Sequence, residues 1–430
     1  MDTEWVTPTG DARGYINHAK AFDILTKNLD RKVQVPLSDV KTCSRCGKNG
    51  ERFPVCSGCG EKAYCGKTCQ TVDWQSHKKQ CGKTDRIELL AFIPLIAAFM
   101  EWYRHDNMES KYNISVYPAL RHQIVNSPNP DAPLDQLSDG SRARLIKLGD
   151  PMSPKEVIEN PEKWWPTASN DQVRSRLRRR IESERFLLPS MVAILMAIMG
   201  EMYTTKYLPA EDTYDNKMKR RIRLKYRDSP ISDFGIVKGS FEVKPEDTLA
   251  YEGSDWQDHQ GMSRFMRGLD PANHYWMYFT TASGEELILD CGLYAFNRCQ
   301  VVNTRRYGLE LDPPIRDAPF YFYDRSERKP PVVHHGKERF TMLRDDDLQG
   351  ATQWTERVPS RRERQEHLKA LAHWLGEFME RLWGNTFTED VKNLTAARCL
   401  ETVDELAVRF LERPLYLDYT AVSDSDVETK

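Results

Sequence analysis

Residues 43–81 read CSRCGKNGERFPVCSGCGEKAYCGKTCQTVDWQSHKKQC and hold seven of the ten cysteines of the chain. Cysteine thiolates and histidine nitrogens are the ligands that zinc prefers in proteins, and a structural zinc ion takes four of them. Eight candidate ligands are present, which is enough for two complete tetrahedral sites. They are Cys43, Cys46, Cys56, Cys59, Cys65, Cys69, His77 and Cys81.

The spacing of these residues divides them into pairs. The first four form two C-x2-C motifs, each of which presents two thiolates from one tight turn. Cys65 and Cys69 are four residues apart, as are His77 and Cys81, so each pair lies on one face of a predicted helix. The two helical pairs are separated by about 10 Å or more of helix, too far for one zinc ion with bonds of about 2.0 to 2.3 Å. Each helical pair therefore needs an upstream motif, and the chain order suggests an interleaved arrangement.

These residues, together with Tyr64, Gln70 and Trp74, resemble a MYND-type zinc finger over about 39 residues. The resemblance implies two interleaved structural zinc sites. One zinc ion would be held by Cys43, Cys46, Cys65 and Cys69, and the other by Cys56, Cys59, His77 and Cys81. Both coordination spheres would be closed, which leaves no open position for catalysis. A segment this short also needs metal to fold.

The same resemblance implies a function in protein–protein interaction, with a proline-containing peptide as the ligand. The residues that match the peptide-binding surface of the family are Ser57, Gln70 and Trp74. Gln70 and Trp74 are four residues apart and would share one helical face. An indole offers a flat apolar wall for a proline ring, and an amide can pair with a peptide backbone. The alternative is that Trp74 packs against the remainder of the chain.

The bulk composition limits the class of protein. The chain has 430 residues, a net charge of −2 and 29% charged residues, so as a whole it does not favour polyanions. Its first residues lack the pattern of a secretory signal, and cysteines crowded into one short stretch indicate metal rather than disulfides. The apolar runs 89–100 and 186–200 are too short to span a bilayer and predict buried core helices. We therefore expect an intracellular protein of the nucleus or cytoplasm, with no membrane partner.

The remaining chain predicts an α+β fold. We expect an N-terminal segment at 1–42, the finger at 43–81, an α+β domain at 82–415 and an acidic tail at 416–430, of which residues 423–430 are predicted to be disordered. Alternating and apolar runs place the strands between about residues 220 and 345, with a hairpin at 275–294, and amphipathic helices follow. Residues 126–170, rich in Pro, Asn, Asp and Ser, predict a loop-rich stretch with at most short helices. This arrangement resembles fungal MYND-finger proteins, a resemblance that implies no activity.

An enzyme with its active site in residues 220–345 is the alternative of a different class. SET-type lysine methyltransferases include members with a MYND finger, but here Asn273 and His274 are followed by Tyr275 and Trp276 instead of the family's cysteine and Pro-Asn pair. His274 and Asp290 also resemble the base and orienting acid of cysteine hydrolases. Their upstream nucleophile is missing, because the upstream cysteines are assigned to zinc. The His334-His335 pair shows no ligand spacing and predicts core or surface histidines.

Two basic stretches allow a second kind of partner. Arg174–Arg180 and Lys217–Arg227 each concentrate positive charge, which is the footprint of phosphate binding. Neither stretch interleaves aromatic residues on its charged face, and exposed strands commonly carry charges to prevent aggregation. Solvated surface is therefore the favoured interpretation, with nucleic acid as the alternative.

Overall fold

The computed structural model describes residues 33, 35, 42–50, 53–56, 62–78, 81, 86–105, 118–204, 222–257, 263–298, 300–307, 314–325, 334–356 and 360–429. Within these ranges the chain is of the α+β class, as predicted. The strands are β1 (Arg86–Glu88), β2 (His122–Ile124), β3 (Asp135–Gln136), β4 (Arg142–Pro151), β5 (Arg223–Tyr226), β6 (Ser229–Phe241), β7 (Leu249–Gln257), β8 (Ser263–Arg267), β9 (His274–Thr281), β10 (Glu286–Asp290), β11 (Gln300–Asn303), β12 (Asp317–Pro319), β13 (Tyr321–Asp324), β14 (His334–Thr341) and β15 (Val427–Thr429).

The helices occupy both ends and the middle of the described chain. They are α1 (Lys67–His77), α2 (Leu89–His105), α3 (Pro154–Glu159), α4 (Pro161–Trp164), α5 (Asp171–Ser183), α6 (Leu187–Met202), α7 (Asp346–Ala351), α8 (Arg361–Trp383) and α9 (Glu389–Leu406). One turn of π-helix, Ala407–Glu412, continues α9.

The largest sheet has seven strands in the order β1-β5-β6-β9-β10-β13, and β14 pairs with β6. The predicted hairpin is confirmed, because β9 and β10 pair in antiparallel register around a turn in which Gly284 has φ +98°. In the same sheet, β6 pairs with both β9 and β14. The first residue of β14 and the first residue of β9 therefore reach the same end of β6, which carries Phe241 and Gly239.

A second sheet corrects the prediction for residues 126–170. Its strands run in the order β2-β4-β7-β8 with β3 beside β4, so this stretch contains a ten-residue strand as well as short helices. Leu145 of β4 lies in one apolar cluster, while Ile146 and Leu148 lie in another. Charged residues stand among the apolar residues of β4, so the sequence lacks the regular alternation that predicts a strand. Strands therefore also occur outside residues 220–345.

The two apolar runs form buried helices, as predicted. All sixteen residues of α6 are buried, and α2 packs beside it in the main core. Pro94 lies inside α2 and has no N–H to donate to Leu90, but the N–H of Val422 donates to the Leu90 carbonyl over 2.9 Å. No single helix in the described ranges combines the length and apolarity needed to cross a bilayer. The one pair that meets both limits together, α5 and α6, is bent by 63°.

The C-terminal helices show the predicted apolar stripes. The buried residues include Leu371, Leu375, Phe378 and Leu382 of α8 and Leu400 and Val403 of α9. The prediction that the C-terminal tail is disordered is wrong for the residues that the structure describes. Residues 427–429 form β15, which pairs antiparallel with β11, and Val427 packs against the main core.

The basic stretches are less solvated than predicted. Arg180 is buried, and its guanidinium donates to the carbonyls of Ala295 and Asp247. Arg223 is only 4% exposed, with its guanidinium 5.8 Å from the centre of the Tyr203 ring. Both guanidinium groups therefore have their partners inside the protein. Arg180 lies on the buried face of α5, and Arg223 lies on β5, which is covered on both faces. Residues 217–221 lie outside the described ranges.

Candidate metal centre

The finger is held in place by a short hairpin-like core and one helix. The N–H of Cys43 donates to the Lys48 carbonyl and that of Gly47 to the Cys43 carbonyl, both over 2.9 Å. This tight turn needs Gly47, which has φ +70°. An isolated bridge pairs Val55 with Ala63, which places the residue before Cys56 next to the start of the helical part.

Four sulfur atoms meet at the first cluster, formed by Cys43, Cys46, Cys65 and Cys69, and all lie within 4.8 Å of one another. The Sγ atoms of Cys46 and Cys65 are 3.7 Å apart and those of Cys65 and Cys69 are 3.5 Å apart. A tetrahedron with Zn–S bonds of about 2.3 Å has edges of about 3.8 Å. The first cluster therefore fits one zinc ion.

The first cluster is also chemically prepared to bind a cation. Burial raises the pKa of Cys43, but backbone N–H groups of Cys46, Cys65 and Arg45 outweigh it and lower this pKa to about 6. The hydrogen bond with Cys65 raises the pKa of Cys69 to about 12. Closely packed thiols cannot all ionise without a compensating cation, so zinc binding releases protons from this cluster.

Three candidate ligands meet at the second cluster: Cys56, His77 and Cys81. The two sulfur atoms are 3.5 Å apart, and Nε2 of His77 is 3.4 Å from the Cys56 sulfur. Cys59, the fourth predicted ligand, lies outside the described residues. The two clusters fit two zinc ions, as predicted, and the ligand role of each single residue stays a prediction.

The helix α1 crosses from one cluster to the other. Cys69 near its start belongs to the first cluster, and His77 at its end belongs to the second. Each cluster joins residues from this helical part with residues from an upstream part of the chain. The arrangement is that of a cross-braced finger, in which the two metal sites share the same segments.

A buried carboxylate that the sequence analysis did not single out fixes α1 to the rest of the finger. Asp73 is 8% exposed and accepts hydrogen bonds from the hydroxyl of Tyr64 over 2.7 Å and the ammonium of Lys62 over 3.1 Å. Burial raises the pKa of Asp73, but these two donors outweigh it and lower the pKa below its usual value. The only signal in the sequence was an acidic residue between Gln70 and His77 on the predicted helix.

The predicted peptide surface lies on the outer face of α1. Trp74 is 45% exposed, and its ring lies edge-on to the ring of His77 with 5.8 Å between centres. Gln70, one turn earlier, is half-buried. Ser57 lies outside the described residues. An exposed indole held by a zinc-cluster histidine does not favour the alternative in which Trp74 packs against the remaining chain.

The structure brings the predicted His274 and Asp290 together and adds a third residue. Nε2 of His274 is 2.8 Å and Nε2 of His334 is 2.9 Å from Oδ2 of Asp290. His334 is a core residue, as predicted, but its carboxylate partner was missed because β14 is distant from β10 in sequence. Cys291 is 1% exposed, and burial raises the pKa of its thiol far above the usual value. Burial disfavours the thiolate, which is the nucleophilic form of cysteine, so Cys291 is not placed to serve this group as a nucleophile.

Comparison with known proteins defines the class of the finger. Residues 43–81 match the model of the MYND finger family, so the cross-braced double-zinc module of this chain is a MYND finger. The protein CBFA2T2 of Xenopus laevis is 39% identical over 13% of this chain and 9% of its own length. The protein CBFA2T2 of Mus musculus is 39% identical over 15% of this chain and 14% of its own length. The likeness thus covers a small part of each relative, and no solved structure matches the chain.

Proposed function

We propose that the protein binds a proline-containing segment of a partner protein through the outer face of α1. A MYND finger is a zinc-dependent protein-interaction domain, which makes a protein partner the expected ligand. The observation that carries the proposal is the exposed indole of Trp74 on a helix braced by two metal clusters. A proline ring packs on this indole, and the Gln70 amide pairs with the backbone of the bound peptide.

In this proposal the zinc ions are structural. Cys43, Cys46, Cys65 and Cys69 hold one zinc ion, and Cys56, Cys59, His77 and Cys81 hold the other. Ser57, which follows Cys56 in the sequence, completes the peptide surface. Residues 82–415 form the body that carries the finger, in a protein of the nucleus or cytoplasm.

Substitution of Trp74 tests the proposal. We expect Trp74→Ala to weaken binding of a fluorescein-labelled proline-rich peptide at least tenfold, because a central aromatic anchor typically contributes 2 kcal/mol or more. Fluorescence anisotropy on the full chain measures the affinity. Zinc content by metal analysis must remain that of the wild type, so that loss of binding is not loss of the finger.

Val72 supplies a matched control for Trp74. It lies on the same helix and is 53% exposed, but two residues from Trp74 it points away from the proposed surface. Val72→Ala should bind the peptide with wild-type affinity. Equal affinities of the Trp74→Ala and wild-type proteins would refute the proposed surface, as would equal binding of a peptide with alanine in place of every proline.

A further inference from the structure

A cavity of about 320 Å³ lies beside α5 in the α+β body. It is bounded by the loop between β2 and β3, by the N-terminal half of α5, and by residues of two turns near Asp247 and Asn297. Its apolar walls are formed by Pro128, Trp165, Val173 and Leu177. Ligand-binding cavities in proteins commonly have volumes of about 300 to 1,000 Å³, with apolar walls and a few polar groups. The volume therefore suits a small organic molecule.

Three arginine side chains from two elements line this cavity. Arg144 lies on β4, and Arg176 and Arg180 lie one turn apart on α5. Arg144 and Arg180 are only 6% and 7% exposed, whereas Arg176 is exposed. A guanidinium group keeps its positive charge in proteins and presents five N–H donors in a planar fork, which matches the oxygen atoms of an oxyanion. The cavity thus concentrates permanent positive charge.

The guanidinium of Arg144 is buried, and no carboxylate of the described residues pairs with it. Its Nη1 donates to the carbonyls of Asn129 over 2.6 Å and Ala132 over 3.1 Å, and its Nη2 donates to the carbonyl of Pro130 over 3.2 Å. These bonds use three of the five N–H donors and hold the group in place. Carbonyls are neutral acceptors, and a buried charge is normally paired with an opposite charge. An anionic ligand in the cavity would supply that charge.

The two carboxylates at the cavity already have partners in the protein. Oδ1 of Asp247 accepts from the side-chain amide of Asn297 over 2.9 Å, and the same Asn297 accepts at its Oδ1 from Nε of Arg176 over 3.1 Å. Oε1 of Glu246 lies 3.7 Å from Nζ of Lys244, an exposed lysine. Three arginines therefore line the cavity against two carboxylates, and one of those carboxylates faces a lysine as well. This balance of charge favours an anionic ligand.

We propose that this cavity binds a small organic phosphate ester. The phosphate lies among the guanidinium groups of Arg144, Arg176 and Arg180, and the organic part of the ester packs against the apolar walls. A phosphate monoester carries nearly two negative charges at neutral pH and three terminal oxygen atoms, so it can accept hydrogen bonds from several guanidinium groups at once. A carboxylate offers one charge and two oxygen atoms. The site does not depend on the peptide surface of the finger.

Two matched series of ligands test the proposal by isothermal titration calorimetry on the full chain with zinc bound. One series is phenyl phosphate, benzoate and phenol, and the other is 1-naphthyl phosphate, 1-naphthoate and 1-naphthol. We expect at least one phosphate to bind about tenfold or more tightly than its carboxylate and its phenol, because charge-assisted bonds to arginine are the strong ones. Failure of both phosphates to bind, or equally tight binding of inorganic phosphate, would overturn the proposal. Displacement of the ester by an oligothymidylate would assign the arginines to nucleic acid instead.

A pair of variants on one helix separates the cavity from a general effect of charge. Arg176→Gln should weaken binding of the phosphate about tenfold or more, because it removes one charged donor from the cavity. Arg178→Gln is the matched control, since Arg178 also lies on α5 but does not line the cavity. It removes the same charge and should leave the affinity unchanged. Equal weakening by the two variants would contradict the proposed site.

A third variant fills the cavity without removing a charge. Gln172 is exposed at the cavity wall near the start of α5. Gln172→Trp should block binding of the phosphate, because the indole occupies the space of the ligand, while the thermal unfolding temperature stays that of the wild type. Undiminished binding to folded Gln172→Trp would place the ligand elsewhere and refute the proposal.

Discussion

Asp290 joins residues of the core that lie far apart in the sequence. Its Oδ1 accepts from the N–H of Gly292 over 2.8 Å, while its Oδ2 accepts from His274 and His334. Burial by itself raises the pKa of Asp290, but the interactions with the two histidines outweigh it and hold this pKa well below its usual range. Aromatic rings surround the three side chains, among them Phe241, 5.0 Å from the ring of His274. The ionised carboxylate therefore ties three strands of the large sheet together.

Removing this carboxylate should be costly. We expect Asp290→Asn to lower the free energy of unfolding by about 3 kcal/mol or more, because breaking a buried charged network leaves its partners without compensation. Urea denaturation followed by intrinsic fluorescence measures the change. Asp347→Asn, an exposed carboxylate in α7, is the matched control and should change the free energy by less than about 0.5 kcal/mol. A small effect of Asp290→Asn would show that the network does not stabilise the core.

At the scale of elements, the sequence predictions missed strands that are buried on both faces. Amphipathic helices such as α8 carry a clear 3.6-residue period and were predicted correctly. The strand β4 carries arginine, lysine and leucine in an order without a clean period of two, because its apolar residues contact different clusters. The strand β15 is short and flanked by acidic residues. Such an element forms only because β11 offers an open edge.

The C-terminal strand allows a direct test of tail structure. Val427→Asp should lower the thermal unfolding temperature by several degrees, because it places a charge where Val427 contacts the main core. Glu428→Gln should have no effect, since the adjacent Glu428 is exposed. Differential scanning fluorimetry measures both variants. If Val427→Asp unfolds at the wild-type temperature, the tail contributes nothing to the fold.

At the scale of the whole molecule, two parts of the chain are stabilised by different physics. The described residues of the finger bury few apolar side chains, mainly Phe53 and Tyr64 beside the cysteines, so metal must supply its folding free energy. The α+β body has a large apolar core built from α2, α6, α8, α9 and the seven-stranded sheet. None of the cysteines that the structure places in the two clusters belongs to this core.

Removal of zinc should therefore affect the two parts differently. We expect native mass spectrometry to report two zinc ions per chain, and excess EDTA to remove both and unfold the finger. The thermal transition of the body should persist after chelation, with its midpoint changed by no more than a few degrees. A count of one zinc ion or none would contradict the two-site arrangement. Loss of the body's transition on chelation would show that its fold depends on the metal.

Residue spacing alone determined the metal chemistry of this protein. Zinc ligands act through type and separation, and the four-residue spacing of Cys65 with Cys69 and of His77 with Cys81 divides this stretch into two half-sites that each need an upstream pair. The interleaved pairing itself was what the resemblance to MYND fingers implied. Periodicity likewise determined the buried helices and the β9–β10 hairpin, because both are local patterns.

Only the tertiary structure showed which side chains from distant segments contact one another. It joined His334 to Asp290 across 44 residues and gave Arg180 and Arg223 their partners inside the protein. It also placed Arg144 of β4 next to α5, around one cavity. No spacing rule connects these residues, because strand pairing and helix packing set their distances, and both arise from burial of the core as a whole.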